Sequence, residues 1–382
     1  MSKLEELIQE LCPNGVEYRN LEDCCTVLDR KRKPITKAAR EAGDYPYYGA
    51  NGIQDYVADY IFDGTFILVG EDGSVITPTG RPVVNWAEGK IWVNNHAHIV
   101  EEKEGVLLRF LYHFIQTVDV TAYIHGNIPK FTGGDFKAMQ VPVPPLPVQE
   151  EIVRILDSFT QLTAELTAEL TARKMQFDYY KEYLLRLDEC EIKPLSEVAN
   201  IIDSLHATPK YVDEGYSMIR VADVKGGYVD TSNALKVDEE TFVKFIKRYK
   251  PQFNDIIVSR VGSFGNFSLV PDEEVCLGQN VALIHPDIDN KFLYYFLNSQ
   301  YVTDYLSRNA RGGGYKNIGI KDILQIPIKV PSLEQQRAIS AILEKFDKLS
   351  NEIGGGIPSE IEARQTQYEY YRDKLLTFKQ LA

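Results

Sequence analysis

Apolar residues in the middle of the chain recur at a helical interval. They step mostly by three or four positions, which is typical of a helix that packs along its length on another helix. The residues of this seam are Ile152, Leu156, Phe159, Leu162, Leu166, Leu170, Phe177, Tyr180, Leu184 and Leu187. Prolines just upstream disfavour helix there. The pattern predicts a helix over 149–187, about 39 residues or roughly 58 Å at 1.5 Å per residue.

Short β-prone runs before and after this helix predict two globular modules. Residues 65–69 and 255–258 are such runs, and they lie among Gly, Asn and Asp turns. Helix-like segments follow in each module, over 106–117 and 291–306. We therefore expect two modules of mixed helix and strand. They would span 16–142 and 192–329, with a spacer over 143–191 and a short segment, 1–15, in front.

The chain contains a long internal repeat. Residues 143–159 reappear as 330–346, with the same Pro-x-Leu-x-x-Gln helix entry. Residues 172–185 match 363–376, including a Gln-x-[Phe/Tyr]-x-Tyr-Tyr block. The offset is 187 positions for the first pair of blocks and 191 for the second, so the second copy carries four extra residues.

The second copy predicts a second long helix, over 330–382. Three successive glycines, Gly354 to Gly356, should break or kink it before it restarts near Pro358. We expect the two helices to pack on each other through leucine and aromatic side chains. The residues predicted for this packing are Leu156, Phe159, Leu162, Leu166, Leu170, Phe177, Tyr180, Leu184, Phe346, Tyr368, Tyr371 and Leu375.

The net charge alone argues against a nucleic-acid partner. The 382 residues include 42 Lys and Arg and 55 Asp and Glu, a formal charge of −13, whereas phosphate binding depends on Lys and Arg. The distribution of charge along the chain argues for a nucleic-acid partner, because a basic run without acidic residues lies in each module, over 30–40 and 244–250. A single run is more often a solvated face. The predicted phosphate contacts are Lys31, Arg32, Lys33, Lys37, Lys247, Arg248 and Lys250.

Base recognition needs side chains with hydrogen-bond donors and acceptors on loops. Polar, Gly-rich loops in both modules offer such side chains. The predicted base contacts are Asn51, Asn127, Lys130, Arg260, Arg311, Lys316 and Asn317. The alternative for each of them is an exposed loop residue without a ligand.

The sequence lacks the motifs of common catalytic sites. It contains no G-x-x-x-x-G-K-[ST], H-E-x-x-H, G-x-S-x-G or N-P-P-[FY]. His96 and His98 could suggest a metal centre, but no Asp or Glu neighbour in the sequence completes a ligand set. We therefore expect no catalytic residue and no metal site.

Cysteine usage and hydropathy indicate the compartment. The five cysteines include an adjacent pair and no C-x-x-C, which favours neither disulfides nor a zinc knuckle. No apolar run approaches the roughly 18 residues of a membrane helix. The first residues are acidic where a signal peptide would be basic. We expect a soluble, cytoplasmic protein from a prokaryote.

The order of module, helix, module, helix resembles the specificity (S) subunit of type I restriction-modification systems. The resemblance covers essentially the whole chain. Its most specific parts are the Leu-Cys-Pro-Asn-Gly-Val-Glu-Tyr opening at 11–18, the two helix entries at Pro144 and Pro331, and the blocks at Gln176 and Gln367. The tandem Thr-Ala-Glu-Leu over 163–170 resembles the spacer repeat of subclass IC.

The resemblance implies an α/β (α+β) fold with a pseudo-twofold internal repeat. Two target recognition domains would be separated by two long antiparallel helices, and each domain would read one half of a split, asymmetric site in double-stranded DNA. The chain itself would be non-catalytic and bind no cofactor. Two methyltransferase (modification) subunits would bring S-adenosylmethionine, and restriction/translocase subunits would bring ATP and Mg.

Two alternatives remain open at this point. If the chain were itself a methyltransferase or nuclease, it would bind S-adenosylmethionine or metal, but the missing motifs argue against it. If it were a helical scaffold whose modules bind protein, the acidic total charge would be explained, but the paired basic runs would not.

Overall fold

A computed structural model describes residues 2–73, 75–125, 129–262, 264–310, 317–351 and 357–381. The chain divides into two compact units. Unit 1 comprises Met1–Glu165 and Ile361–Ala382, and unit 2 comprises Leu166–Glu360. Among the described residues, no helix has both the length and the apolar character of a membrane span.

Both units contain helices and strands. The helices are α1 (Lys3–Leu11), α2 (Leu21–Cys24), α3 (Leu108–Ile115), α4 (Gly133–Ala138), α5 (Leu146–Leu184), α6 (Glu239–Ile246), α7 (Asn290–Leu297), α8 (Gln300–Asn309), α9 (Ile320–Leu324), α10 (Leu333–Asn351) and α11 (Ile357–Leu375). The strands are β1 (Glu17–Asn20), β2 (Cys25–Val27), β3 (Ala42–Gly49), β4 (Gly52–Val57), β5 (Phe62–Gly70), β6 (Val84–Val93), β7 (Ala97–Glu102), β8 (Ile124–His125), β9 (Lys130–Phe131), β10 (Gln140–Val143), β11 (Glu191–Pro194), β12 (Ala199–Asp203), β13 (Tyr211–Val212), β14 (Tyr216–Ile219), β15 (Leu235–Val237), β16 (Ile256–Ser259), β17 (Phe267–Leu269), β18 (Val275–Leu277), β19 (Val281–Pro286) and β20 (Pro327–Val330).

Unit 1 is built on a six-stranded sheet in the order β2-β7-β5-β6-β3-β4. Successive side chains of a strand point to opposite faces, and β5 is buried on both. Ile67 and Val69 pack with α3 in one apolar cluster, whereas Phe66 and Leu68 pack in a second cluster. The strand therefore reads as a continuous apolar run in the sequence.

Unit 2 contains two four-stranded sheets, in the orders β12-β19-β16-β17 and β13-β15-β14-β18. Its central strand β16 is also buried on both faces. Ile256 and Val258 pack with α7, and Ile257 faces a separate cluster. The antiparallel neighbours of β16 are β17 and β19.

The first long helix is 39 residues long, as predicted, but it begins and ends three residues earlier. Pro147 is its second residue. A proline is tolerated in the first turn because the N–H groups there have no partner within the helix. The helix ends before Leu187, whose φ of 40° is left-handed and does not continue an α-helix.

The second copy of the repeat forms two helices. α10 ends at Asn351 and α11 begins at Ile357, next to the predicted restart at Pro358. The glycines Gly354 to Gly356 lie outside the described residues. Pro358 is the second residue of α11, as Pro147 is of α5.

Ring stacking joins the long helices within each unit. In unit 1, Phe159 stacks on Tyr371 with ring centroids 5.4 Å apart. In unit 2, Tyr180 stacks on Phe346 at 5.4 Å. Leu156 is fully buried. Other seam residues, Leu162, Leu166 and Leu170, are half-buried.

The long helices also pack on a helix of each module. In unit 1, Arg109 Nε of α3 lies 2.8 Å from Asp157 Oδ1 of α5. In unit 2, Lys291 Nζ of α7 lies 3.3 Å from Glu344 Oε1 of α10. Tyr368, predicted as a helix–helix contact, is within hydrogen-bond distance of His113 Nδ1 on α3, at 3.0 Å. Ion pairs thus supplement the apolar seam.

Candidate nucleic-acid interface

Three loops of unit 1 meet at the Arg32 side chain. Its guanidinium donates to Glu71 Oε2 at 2.6 Å and to the Ala97 carbonyl at 2.6 Å. Glu71 directly follows β5, and Ala97 begins β7. The Arg32 side chain is only 12% exposed, so it ties the loops together rather than extending into solvent.

A buried histidine supports the same loops. His98 Nδ1 lies 2.7 Å from Asp29 Oδ2, and His98 Nε2 lies 3.0 Å from the Phe131 carbonyl. Burial would raise the pKa of Asp29, but hydrogen bonds from His98 and from the Ile99 N–H, with the charge of Arg32, bring that pKa below its usual value. Asp29 is therefore an anion at neutral pH.

The expectation that no carboxylate accompanies the histidines is wrong. Asp29, Glu71 and His98 bring potential ligand atoms within 4.8 Å of one another, and His96 Nδ1 contacts Asp72 Oδ1. These acidic residues are distant in sequence and near in space. Arg32 already places its positive charge between Asp29 and Glu71. We therefore assign this group to a set of ion pairs and not to a metal site. We call Asp29, Arg32, Glu71 and His98 the frame of unit 1.

Three side chains surround this frame at the surface: Asp72, His96 and Lys130. We call them the unit 1 reading positions, after the role that we propose for them below. Asp72 and Lys130 face each other in an isolated antiparallel bridge. The His96 carbonyl accepts from the Glu71 N–H at 2.8 Å. The Lys130 side chain is 49% exposed, and that of His96 is 47% exposed.

Unit 2 repeats this backbone arrangement. Val261 and Asn317 form the corresponding antiparallel bridge, and the Asn280 carbonyl accepts from the Arg260 N–H at 2.9 Å. The unit 2 reading positions are therefore Val261, Asn280 and Asn317. Asn280 and Asn317 are exposed.

In unit 2, the residue that follows the central strand has the opposite charge. Arg260 directly follows β16, where unit 1 has Glu71 after β5. Arg260 Nη1 donates to Asp203 Oδ1 at 2.6 Å, and its side chain is 17% exposed. The two units thus use the same backbone contacts with different side chains at every reading position.

The predicted phosphate contacts differ in their exposure and in whether they form ion pairs. Six of them are exposed, namely Lys31, Lys33, Lys37, Lys247, Arg248 and Lys250. Lys250 pairs with Glu274. Arg32, by contrast, is held in the frame of unit 1. Arg260, one of the predicted base contacts, is held in the same way in unit 2. Both guanidinium groups therefore have little surface left for DNA.

The other predicted base contacts separate into two groups. Asn51 is exposed in the β3–β4 turn, and Lys130 and Asn317 are reading positions. Asn127, Arg311 and Lys316 lie outside the described residues. The sequence analysis did not select Asp72, His96 or Asn280 as DNA contacts, although each lies within two residues of the end of a strand.

Comparison with known proteins now gives the class of these two units. The family model described as "Type I restriction modification DNA specificity domain" matches residues 13–173 and 188–363. A putative type I restriction enzyme specificity subunit of Haemophilus influenzae is 34% identical over 390 residues, 98% of each chain. The EcoR124I/EcoR124II specificity subunit of Escherichia coli is 32% identical over 291 residues, 71% of each chain.

The fold agrees with these relatives. A crystal structure of the type I restriction-modification S subunit from M. genitalium superposes with a TM-score of 0.60 at 15% identity, covering 95% of this chain and 96% of that one. The predicted mixed α/β fold with two domains and a long helix is confirmed. The pseudo-twofold relation stays a prediction.

Both matched segments are therefore DNA specificity domains of the type I class. The chain belongs to the family of type I restriction-modification specificity subunits. Members of this family are DNA-recognition subunits and are not themselves catalytic. The scaffold alternative is not favoured. Membership of subclass IC stays a prediction.

Proposed function

We propose that this chain reads a split, asymmetric site in double-stranded DNA, one half-site per unit. Asp72, His96 and Lys130 would contact bases of one half-site. Asn280 and Asn317 would contact bases of the other, with Val261 offering only an apolar surface. Bidentate amides and charged donors are the groups that distinguish base edges in the major groove.

One observation carries this proposal. Each unit holds the same bridge and the same backbone hydrogen bond at its loops, yet the side chains presented there differ. A constant frame with variable surface residues is suited to reading two unlike sequences. Exposed lysines beside the frames would supply the sequence-independent attraction to phosphates.

We further propose that the chain works in a complex and binds no cofactor itself. Two methyltransferase subunits would dock on it and bring S-adenosylmethionine. Restriction/translocase subunits would bring ATP and Mg. The acidic total charge of −13 supports this division, because partner subunits can share the neutralisation of DNA phosphates. A cytoplasmic location follows from such a role.

The half-site assignment can be tested with Lys130→Ala and Asn317→Ala in the complex with methyltransferase subunits. Losing a base contact costs about 1–3 kcal/mol of discrimination, roughly 5-fold to 150-fold. We expect Lys130→Ala to relax positions in one half-site and Asn317→Ala to relax positions in the other, as measured by sequencing methylated adenines.

Lys345→Ala is the matched control, since Lys345 is an exposed lysine on α10. It should leave the methylated motif unchanged. If both test variants altered the same half-site, or if neither altered any position, the assignment of one half-site to each unit would be wrong.

A further inference from the structure

We propose that a cavity in unit 2 is a nucleotide pocket, which takes an unstacked base together with its phosphate. That this nucleotide comes from DNA rests on the function proposed above. The cavity, which we call the unit 2 cavity, has a volume of about 240 Å³. It is lined by the end of β12, by the end of α6 and the segment that follows it, and by residues of β18 and β19. One water needs only about 10–15 Å³ on this measure, so the space fits a larger ligand.

The rim of the unit 2 cavity is basic. Lys244, Lys247 and Arg248 line it and are exposed. None of the three forms an ion pair with another described residue, whereas neighbouring Lys250 pairs with Glu274. Asp203 also lines the cavity, but Arg260 neutralises it at 2.6 Å. Within the part of the chain that the structure describes, the rim therefore offers a phosphate three cations without an ion-pair partner.

The interior is apolar and aromatic. Phe245, Tyr249 and Leu283 are among its walls. Bases stack on aromatic side chains irrespective of sequence. A bare phosphate would gain nothing from such walls, and an apolar ligand would gain nothing from the cationic rim. A nucleotide uses both.

A buried hydroxyl supplies a polar group in the same wall. Ser204 lines the cavity and is 3% exposed. Its Oγ has no hydrogen-bond partner among the described residues. Buried hydroxyls in native proteins are usually paired, so this one is suited to a ligand that offers a donor or acceptor, as every base edge does.

The position of the cavity indicates DNA as the source of the nucleotide. Asp203 belongs both to the cavity wall and to the frame that supports Asn280 and Asn317. DNA bound at these reading positions would therefore pass beside the basic rim. Proteins that unstack a base place it in a pocket of this kind, between apolar walls and hydrogen-bonding groups.

The pocket can be tested by calorimetric titration of the full-length chain with the four deoxynucleoside 5′-monophosphates, the matching deoxynucleosides and inorganic phosphate. We expect at least one monophosphate to bind tenfold or more tightly than its nucleoside or phosphate. The double variant Lys247→Ala, Arg248→Ala should lose this binding at least tenfold, and Ser204→Val should weaken it. Lys345→Ala should not change it.

A second arm distinguishes DNA from a free nucleotide as the source. A DNA duplex carries the half-site that the Asn317→Ala experiment assigns to unit 2. In this duplex, the fluorescent base 2-aminopurine replaces one base at a time at successive positions. A fluorescence rise at one position, lost in the double variant, supports a base turned out of DNA. Monophosphate binding without any such rise overturns the DNA source and leaves a free-nucleotide pocket.

Two results would overturn the pocket itself. One is that no monophosphate binds, and the other is that inorganic phosphate binds as tightly as every nucleotide. Adenine methylation by the complex with the unaltered chain is scored separately. If either of these two results were found while that complex still methylated the split motif, the pocket would have failed and the proposed function would stand.

Discussion

At the level of single residues, neighbouring basic side chains have different roles inside one basic run. Lys31 and Arg32 are adjacent, yet Lys31 is exposed and Arg32 is held between Asp29 and Glu71. The run shows in the sequence, but the ion pair does not, because Glu71 is 39 positions away. Only the fold decides which cations remain for DNA.

Replacing Arg32 with alanine should therefore destabilise unit 1. The change removes the Arg32 cation from Asp29 and Glu71, both mostly buried, and leaves Glu71 with the longer pair to Lys130, at 3.6 Å. Breaking a buried ion pair costs about 3 kcal/mol. We expect a clear fall in the free energy of unfolding in urea. Lys31→Ala, its neighbour, should change this free energy by less than about 0.5 kcal/mol. Equal effects of the two variants would contradict the frame.

His113 should make the stability of unit 1 depend on pH. Burial lowers the pKa of His113, and the hydrogen bond and charge of Asp157 offset this only in part. Between that lowered pKa and the value of about 6.5 in the unfolded chain, only the unfolded state binds the proton. Stability should therefore fall as the pH drops below about 6.5.

The contribution of this histidine is isolated by a His113→Gln variant, which cannot titrate there. We expect the unfolding free energy of the parent protein to fall more steeply between pH 7 and pH 5 than that of the variant. Parallel curves would show that His113 does not carry the effect.

At the level of elements, the long helix was the most predictable part of the fold. Its apolar spacing gave the length of 39 residues, and the error was a shift of three positions at each end. The prolines predict a barrier to helix, but in the structure Pro147 occupies the first turn of α5. Loop geometry was not predictable, because the bridges Asp72–Lys130 and Val261–Asn317 join segments far apart in sequence.

Lengthening α5 tests whether this helix sets the spacing between the two proposed half-sites. One added Thr-Ala-Glu-Leu unit in the tandem over 163–170 should extend the helix by about 6 Å and rotate it by about 40°. One base pair of B-DNA advances about 3.4 Å. We expect the gap between half-sites to grow by one or two base pairs, with both half-sites unchanged.

The gap can be measured by sequencing the sites methylated by the complex with the lengthened chain. A scrambled four-residue insertion outside α5, in an exposed loop such as that after Asp230, serves as the control and should leave the gap unchanged. If the lengthened chain kept the original gap, α5 would not set the spacing.

For the whole molecule, the internal repeat was the decisive feature of the sequence. It predicts two modules with a long helix after each, and the family model matches the chain in two segments, 13–173 and 188–363. The repeat could not reveal the reading positions, since these differ between the units in every side chain. Residues that read different targets are by nature those at which a repeat diverges.

The most direct test of the central claim is to express the chain with the methyltransferase subunits of its own system and map every methylated adenine in the host genome. The account predicts a single split motif with two unlike half-sites and a fixed gap. An assembled complex that methylates a continuous motif, or that adds no methylation, would contradict it.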